Sequence, residues 1–251
     1  MLKIILCAFN EAQNLSKLLS DLIEQLNFLQ REFEIIFCLD CSNDNSFEII
    51  NGFKNQAKIT ILEQENVRGL GLAYKKNFRY VLTNSQDQDL IISIDCDNTH
   101  NPNQLKEMIE YFEKNSLDLL VASRFFDKSI VSSFPAHRKF ISKATSKILQ
   151  ILFSVKNIHQ KNVIDYTSGY RIYRLKALRM VYQKYQEKFI EEPEFTYTCE
   201  ILIKIFNENA RIDEYPLNYD YTKKIGKSKL RILKNFKRLV LLILKLKFFS
   251  N

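Results

Sequence analysis

Glycine and proline are scarce in this chain, with 5 and 4 copies among 251 residues, so each glycine in a loop marks a candidate backbone requirement. Cysteine offers no framework either. Cys7, Cys38, Cys41, Cys96 and Cys199 are scattered; Cys38 and Cys41 have the spacing of a zinc half-site, but Cys38 lies in an apolar run and no second half-site follows. All five read as reduced thiols of a cytosolic protein. The apolar start, residues 1–9, is too short for a signal peptide and runs directly into Asn10-Glu11. Internal repeats and low-complexity linkers are absent. No apolar run approaches the roughly 20 residues a membrane-spanning helix needs; the best, residues 239–244, is cut off by Lys245 and Lys247. Acidic residues are missing from 223 to 247, where Lys223, Lys224, Lys227, Lys229, Arg231, Lys234, Lys237, Arg238, Lys245 and Lys247 carry the surplus behind the net charge of +8. Such a tail suits nucleic acid, an anionic membrane surface or simply a solvated basic helix. It lacks interleaved aromatics for base stacking, which argues against nucleic acid.

What is present is an ordinary globular composition, 46 % hydrophobic, enough for a sizeable core in one domain. The first half alternates strand and helix patterns. Residues 2–9 are a short apolar run, followed by a helix whose apolar face is Leu15, Leu18, Leu19, Leu22, Ile23, Leu26 and Leu29. Asn10 is the expected N-cap of that helix, with Gln13 completing a capping box. Residues 34–39, 58–62, 90–94 and 117–122 read as further strands, with helices from about 45, after Gly71 and from Pro102. Strands apolar throughout, alternating with amphipathic helices, indicate an α/β fold with a mostly parallel sheet covered on both faces. Ligands in such sheets bind beyond the carboxyl ends of the strands. Four polar clusters fall there: Asn10-Glu11, residues 40–44, residues 95–100 and Ser123-Arg124. The second half carries a long helix over about 138–153, a polar loop at 165–171, helices at about 175–185 and 197–207, and a strand at about 211–216. A basic amphipathic helix closes the chain; it can lie on a membrane or pack on protein, and should not cross a bilayer.

Asp95-Cys96-Asp97 ends the run Leu90-Ile91-Ile92-Ser93-Ile94. Residues i and i+2 of an extended chain point to one side, so both carboxylates can face one ion. Hard divalent cations such as Mg²⁺ prefer such oxygens and complete their shells with substrate phosphates and water. A lone pair of this kind more often marks a solvated turn; its place at the carboxyl end of a buried strand favours a diphosphate clamp.

The segments around that pair carry a family resemblance. Phe9-Asn10-Glu11 with Asn14, Asp40 with Ser42 and Asp44, Arg68-Gly69-Leu70-Gly71, Asp95-Cys96-Asp97 with His100, and Ser123-Arg124-Phe125 follow one another in an order that resembles family 2 glycosyltransferases of the Rossmann-like GT-A fold. Asp165-x-Thr-Ser-Gly-Tyr-Arg171, Glu200 and Gly226-Lys-Ser-Lys-Leu230 look like the dolichyl- or polyprenyl-phosphate sugar synthase branch. The resemblance covers residues 3 to about 235, and implies a catalytic domain over residues 1–229 with a membrane-surface helix over 230–251. It assigns Ala8, Phe9, Glu11 and Asp40 to the nucleotide base and ribose, and Asp95 and Asp97 to Mg²⁺ or Mn²⁺ and the diphosphate. Arg124 and Arg171 become candidates for the donor diphosphate or acceptor phosphate, and Ser228 and Lys229 sit on a loop that in relatives closes near the diphosphate. Plainer roles stand beside these: negative charge is favoured in a helix first turn such as that of Glu11, Arg124 and Arg171 suit structural ion pairs, His100 a packed or capping histidine, and Glu200 a partner for a nearby Lys or Arg. Three departures bear on metal preference and donor identity: Leu39-Asp40-Cys41 where relatives usually carry two acids and a Gly, Thr99 where Gln is frequent, and Lys223 or Lys224 where Arg is common.

The reaction so implied is inverting displacement of a nucleoside diphosphate from the sugar anomeric carbon, with a nucleotide-sugar donor (GDP- or UDP-linked) and a lipid-phosphate acceptor at the cytoplasmic membrane face. A phosphate acceptor is largely ionised at neutral pH, its second pKa lying near ~6, so it needs no general base. A hydroxyl acceptor on a glycan would need one, and Asp165 is the first candidate. A catalytically silent nucleotide-binding scaffold is the third reading.

Overall fold

The computed structural model of the chain describes residues 1–226 and 232–248. Chain order gives β1 (Leu2–Ala8), α1 (Ala12–Phe28), β2 (Phe33–Asp40), α2 (Ser46–Gly52), β3 (Ile59–Gln64), α3 (Leu70–Asn84), β4 (Leu90–Ser93), a 3₁₀ turn, and α4 (Leu105–Lys114). There follow β5 (Leu119–Ser123), β6 (Ile130–Ser132), α5 (Ala136–Phe153), β7 (Arg171–Arg174), α6 (Leu175–Tyr185), α7 (Tyr197–Asn207), β8 (Ile212–Pro216), β9 (Asn218–Asp220) and α8 (Ile232–Phe248). Seven strands form one sheet in the order β3-β2-β1-β4-β7-β5-β8, parallel except at β7, which runs antiparallel to both neighbours. β6 and β9 make a separate parallel pair.

Strand periodicity divides the core. Ile4, Leu6, Ile35 and Phe37 point to the face covered by Leu15, Leu18, Leu22 and Leu26 of α1 and by Met108 and Phe112 of α4. Ile5, Cys7, Ile36 and Cys38 point to the other face, under Ala73, Phe78 and Val81 of α3, Leu178 of α6 and Leu202 of α7. One charge pair lies inside this framework: Lys3 of β1 is in register with Glu34 of β2, Nζ to Oε2 at 2.5 Å, and Glu34 also accepts from Thr60 at 2.7 Å. A buried carboxylate so surrounded is satisfied rather than catalytic.

Two expectations need revision. The capping box at Asn10 does not form. Asn10 adopts φ 51°, its Oδ1 accepts from the Asn43 amide at 2.9 Å, and the first turn of α1 is satisfied from the loop after β2. There Asp44 Oδ2 accepts from Ala12 N–H at 3.0 Å and Ser46 Oγ from Glu11 N–H at 3.1 Å. The polar loop at 165–171 leads into β7, a strand that fills the gap between β4 and β5 with Ile172 on one face and Tyr173 on the other.

Two of the scarce glycines, Gly69 and Gly71, have packing reasons. A Cβ on Gly71 would stand 1.9 Å from the Glu192 carbonyl oxygen, and one on Gly69 2.4 Å from that of Pro193. The segment after α6 therefore lies directly on the N-terminus of α3. α8 packs back through Leu239 and Leu242, which are buried with the second core face. Among the described residues no helix is long and apolar enough to cross a membrane. The expected boundary at 229/230 lies outside the described residues.

Candidate active site

The carboxyl ends of β1, β2, β4 and β5 open into one cavity of about 380 Å³. It is lined in part by Ala8, Phe9, Glu11, Asp40 and Arg68. Here the Arg68 guanidinium lies 3.9 Å over the Phe9 ring. Asp40 accepts the Gly69 amide at 2.9 Å and Gln64 Nε2 at 2.9 Å, and burial raises its carboxyl above the ordinary range. The loop glycine thus brings its backbone N–H to the carboxylate that ends β2.

Asp95, Asp97, His100, Arg124 and Lys224 line the same cavity. Burial pushes Asp95 upward, with His100 opposing. Burial works the same way on Asp97 but loses: the Lys224 ammonium against Oδ2 and the Thr99 hydroxyl, donating to Oδ1 at 2.5 Å, hold that carboxyl below its usual range. Thr99 therefore faces Asp97, and among the described residues no group of three or more His, Cys, Asp or Glu side chains is gathered for a metal. His100 accepts the Asp95 amide at Nδ1, 3.3 Å, and packs between Tyr170 and Tyr219; burial depresses its pKa, which leaves a neutral ring with the proton on Nε2. It is the packed, capping histidine that the sequence suggested.

Arg124 enters the cavity beside Phe134 and Tyr219 while its fork holds Asp165, Nε to Oδ2 at 2.9 Å and Nη2 to Oδ1 at 2.8 Å. Asp165 also accepts the Arg124 and Thr167 amides and the Thr167 hydroxyl, each at 3.1 Å. Burial opposes its ionisation, but Arg124 overrides it and the carboxyl stays below the usual range. With no exposed surface and five donors, Asp165 orients Arg124 and is not free to take a proton from an acceptor. Arg171 needs a second correction. It is fully buried outside the cavity, donating from Nη1 to the Thr198 carbonyl at 2.7 Å and from Nη2 to that of Tyr166 at 2.9 Å. It ties β7 to α7. Glu200 likewise pairs with Lys204 at 2.5 Å and accepts the Glu191 and Glu192 amides. Ser228 and Lys229 lie outside the described residues.

α5 and α8 also line the cavity, through Arg138, Ser142 and Thr145 together with Ile141, Phe236 and Leu239. Sequence reasoning assigned none of these a role. α5 carries no motif, and only the fold brings its first turns opposite α8. Arg68, by contrast, stands in the segment Arg68-Gly69-Leu70-Gly71, part of the family resemblance, and its place over Phe9 is set by the fold.

The model of the family described as glycosyl transferase family 2 matches residues 3–181. The chain belongs to that family. Similar curated relatives of this family 2 glycosyltransferase include the undecaprenyl-phosphate mannosyltransferase of Micrococcus luteus, 28 % identical over 172 residues, 68 % of this chain and 65 % of that protein. The dolichol-phosphate mannosyltransferase of Pyrococcus furiosus is 25 % identical over 228 residues, 91 % of this chain and 58 % of that protein. The chain thus spans less than two thirds of the length of either. Among solved structures, glucosyl-3-phosphoglycerate synthase of Mycobacterium tuberculosis, in complex with Mn²⁺, UDP and glucosyl-3-phosphoglycerate, is similar with a TM-score of 0.65 at 15 % identity, covering 98 % of this chain and 78 % of that one. S. aureus TarS 1-349 gives 0.61 at 18 %, covering 100 % and 73 %. These likenesses place the transferase in the GT-A fold.

The two carboxylates suit a hard divalent cation. Asp95 is backed by Gly169, where a Cβ would stand 3.0 Å from Oδ1, so the chain leaves room for that carboxylate by omitting a side chain. Asp97 already holds a cation, the Lys224 ammonium, as a stand-in at Oδ2. Two protein oxygens with the remainder supplied by phosphates and water is the usual Mg²⁺ arrangement.

Proposed function

We propose that this glycosyltransferase moves a sugar, with inversion, from a GDP- or UDP-sugar to a polyprenyl or dolichyl phosphate, using Mg²⁺ or Mn²⁺ held by Asp95 and Asp97. The observation that carries the reading is one cavity lined both by the two carboxylates and by basic and apolar side chains of α5 and α8. A phosphate with a prenyl tail needs that combination: Arg138 and Ser142 for the anion, Ile141, Phe236 and Leu239 for the first isoprenes. The metal would neutralise charge developing on the leaving diphosphate. Arg124, fixed by Asp165, presents its outer N–H groups to the same oxygens, a preorganised positive group that need not reorganise during reaction. Phe9, Ala8, Glu11 and Asp40 line the end that would hold base and ribose. No carboxylate serves as base in this scheme, and an ionised phosphate needs none.

A membrane-surface position is supported by two helices. α8 leaves Val240, Leu241 and Leu244 exposed, and α5 leaves Phe140, Ile148 and Ile151 exposed beside Lys139, Lys143 and Lys147. Apolar ridges flanked by lysines lie at a headgroup boundary with the charges snorkelling outward. The relatives' names, undecaprenyl-phosphate and dolichol-phosphate mannosyltransferase, favour the same acceptor class.

The test is transfer from a panel of GDP- and UDP-sugars to polyprenyl phosphate in anionic vesicles, with free glycans as competing acceptors. The expected result is a sugar-linked lipid phosphate formed only with a divalent metal; transfer to glycan hydroxyls with none to lipid would overturn the acceptor.

A further inference from the structure

Lys224 occupies the place where Asp97 is expected to meet its ion. Its ammonium lies against Asp97 Oδ2, both side chains are largely buried, and Glu11 and Asp95 add to its negative surroundings. The contact is not a loose surface pair. The next residue, Ile225, is held at both backbone groups by Asn14 of α1: its N–H donates to Oδ1 at 3.3 Å and its carbonyl accepts from Nδ2 at 3.2 Å. Asn14 is itself buried and fixed, donating to Glu11 Oε2 at 2.6 Å and receiving Asn98 Nδ2 on its Oδ1 at 3.2 Å. Upstream, the Asp220 amide donates to the Thr99 carbonyl at 3.2 Å. The segment from 220 to 226 is thus pinned on both sides of Lys224, across the carboxylate pair. Oδ1 of Asp97 is meanwhile taken by Thr99.

An ammonium and a dication cannot both sit on one carboxylate oxygen without strong mutual repulsion. We propose that Lys224 is the resident counter-cation of the site and competes with the divalent metal for Asp97. The bare chain then binds metal weakly. The donor diphosphate reverses this: it brings metal and offers Lys224 other anionic oxygens, so the ammonium exchanges one anionic partner for another and metal and nucleotide enter together. Lys suits this exchange better than Arg, because a compact point charge on a flexible stem can change partners without losing a fork. The inference rests on the metal reading given above.

Mn²⁺ binding to the full chain, followed by calorimetry or by loss of the free-ion paramagnetic signal, separates the two. Wild type, Lys224→Met and Lys224→Arg are titrated with Mn²⁺ alone and with Mn²⁺ plus UDP or GDP, after thermal melts confirm folding. Lys224→Gln replaces the Met variant if that one fails to fold. Removing the charge should tighten Mn²⁺ alone by at least tenfold and weaken the nucleoside diphosphate; Lys224→Arg should keep Mn²⁺ weak. Equal Mn²⁺ affinity in wild type and the neutral variant, with nucleotide-dependent Mn²⁺ binding intact, overturns the role of Lys224 alone. No Mn²⁺ binding in any variant, with or without nucleotide, overturns the metal reading and this inference with it.

Discussion

Arg124 and Asp165 form a buried fork, and the Thr167 hydroxyl accepts from Arg124 Nη2 at 2.6 Å. Removing one member strands the other, which typically costs about 3–5 kcal/mol. Arg124→Ala is therefore expected to lower unfolding stability by that order in urea titrations, and Arg124→Lys by less, since lysine cannot reproduce the bidentate contact. Arg171→Ala should behave differently: a fall in stability with donor binding unchanged in the folded fraction, because its guanidinium serves two carbonyls away from the cavity. Glu214 supplies a pH signature. It accepts the Ile164 and Asp165 amides at 2.8 and 2.9 Å, holding the loop that carries Asp165, and burial pushes its pKa up to about 7. Between its ordinary 4.5 and about 7 the folded chain binds more protons than the unfolded one, so this group's contribution falls as pH rises, by on the order of 3 kcal/mol across the window. His100, with a folded pKa below 6.5, contributes the opposite sign up to about that pH. The check is thus a comparison: Glu214→Gln should make the downward slope seen by urea unfolding from pH 5 to 8 shallower, the remainder coming from Asp40, Asp95 and Glu192, whose carboxyls burial also raises. Its amide meets two N–H donors with only one acceptor, so the whole curve also drops. An unchanged slope would sink this account of Glu214. At this scale Asp95, Asp97 and Arg124 were legible because their types and positions at strand ends restrict what they can do. The burial of Arg171 was not, since an arginine in a polar loop reads the same whether it faces a phosphate or a carbonyl.

The elements were legible wherever hydrophobic period and length agreed. β1, β2, β4 and β5, with α1, α3 and α4 between them, carry uninterrupted apolar runs or full amphipathic faces. β7 escaped because four residues bounded by Arg171 and Arg174 give too little pattern, and its antiparallel place is decided by the gap between β4 and β5. The start of α1 escaped for another reason: its amides are satisfied by Asp44 and Ser46, side chains from beyond the next strand. α8 illustrates how one helix can serve two surfaces. Leu242 is buried against the second core face, and Leu242→Ala should cost about 2–5 kcal/mol of stability by urea unfolding. Leu241 and Leu244, each more than a third exposed, should tolerate serine with little change in stability. If α8 lies on a bilayer, the Leu241→Ser, Leu244→Ser pair lowers co-flotation with anionic vesicles several-fold; unchanged flotation would leave α8 as a packing helix only.

At the scale of the molecule, the mostly parallel sheet directs four strand ends into one cavity. The family follows from a match over residues 3–181; the proposed acceptor rests on what the cavity side chains of α5 and α8 can hold. The identity of the donor base and sugar was not legible, because it is set by the shape of a pocket assembled from segments far apart in sequence, with Phe9, Asp40 and Arg68 in the part proposed for the nucleotide. Asp95 and Asp97 are proposed to clamp a metal-bound donor diphosphate. This clamp is tested by sugar transfer to polyprenyl phosphate by wild type and Asp97→Ala, at matched folded concentration, with Mn²⁺ and with chelator. The expected result is turnover by wild type only with metal, and a loss of at least about 10²-fold in Asp97→Ala, the scale on which removal of a preorganised charge-stabilising group acts. Equal turnover by wild type and Asp97→Ala, or wild-type turnover undiminished by chelator, would contradict it.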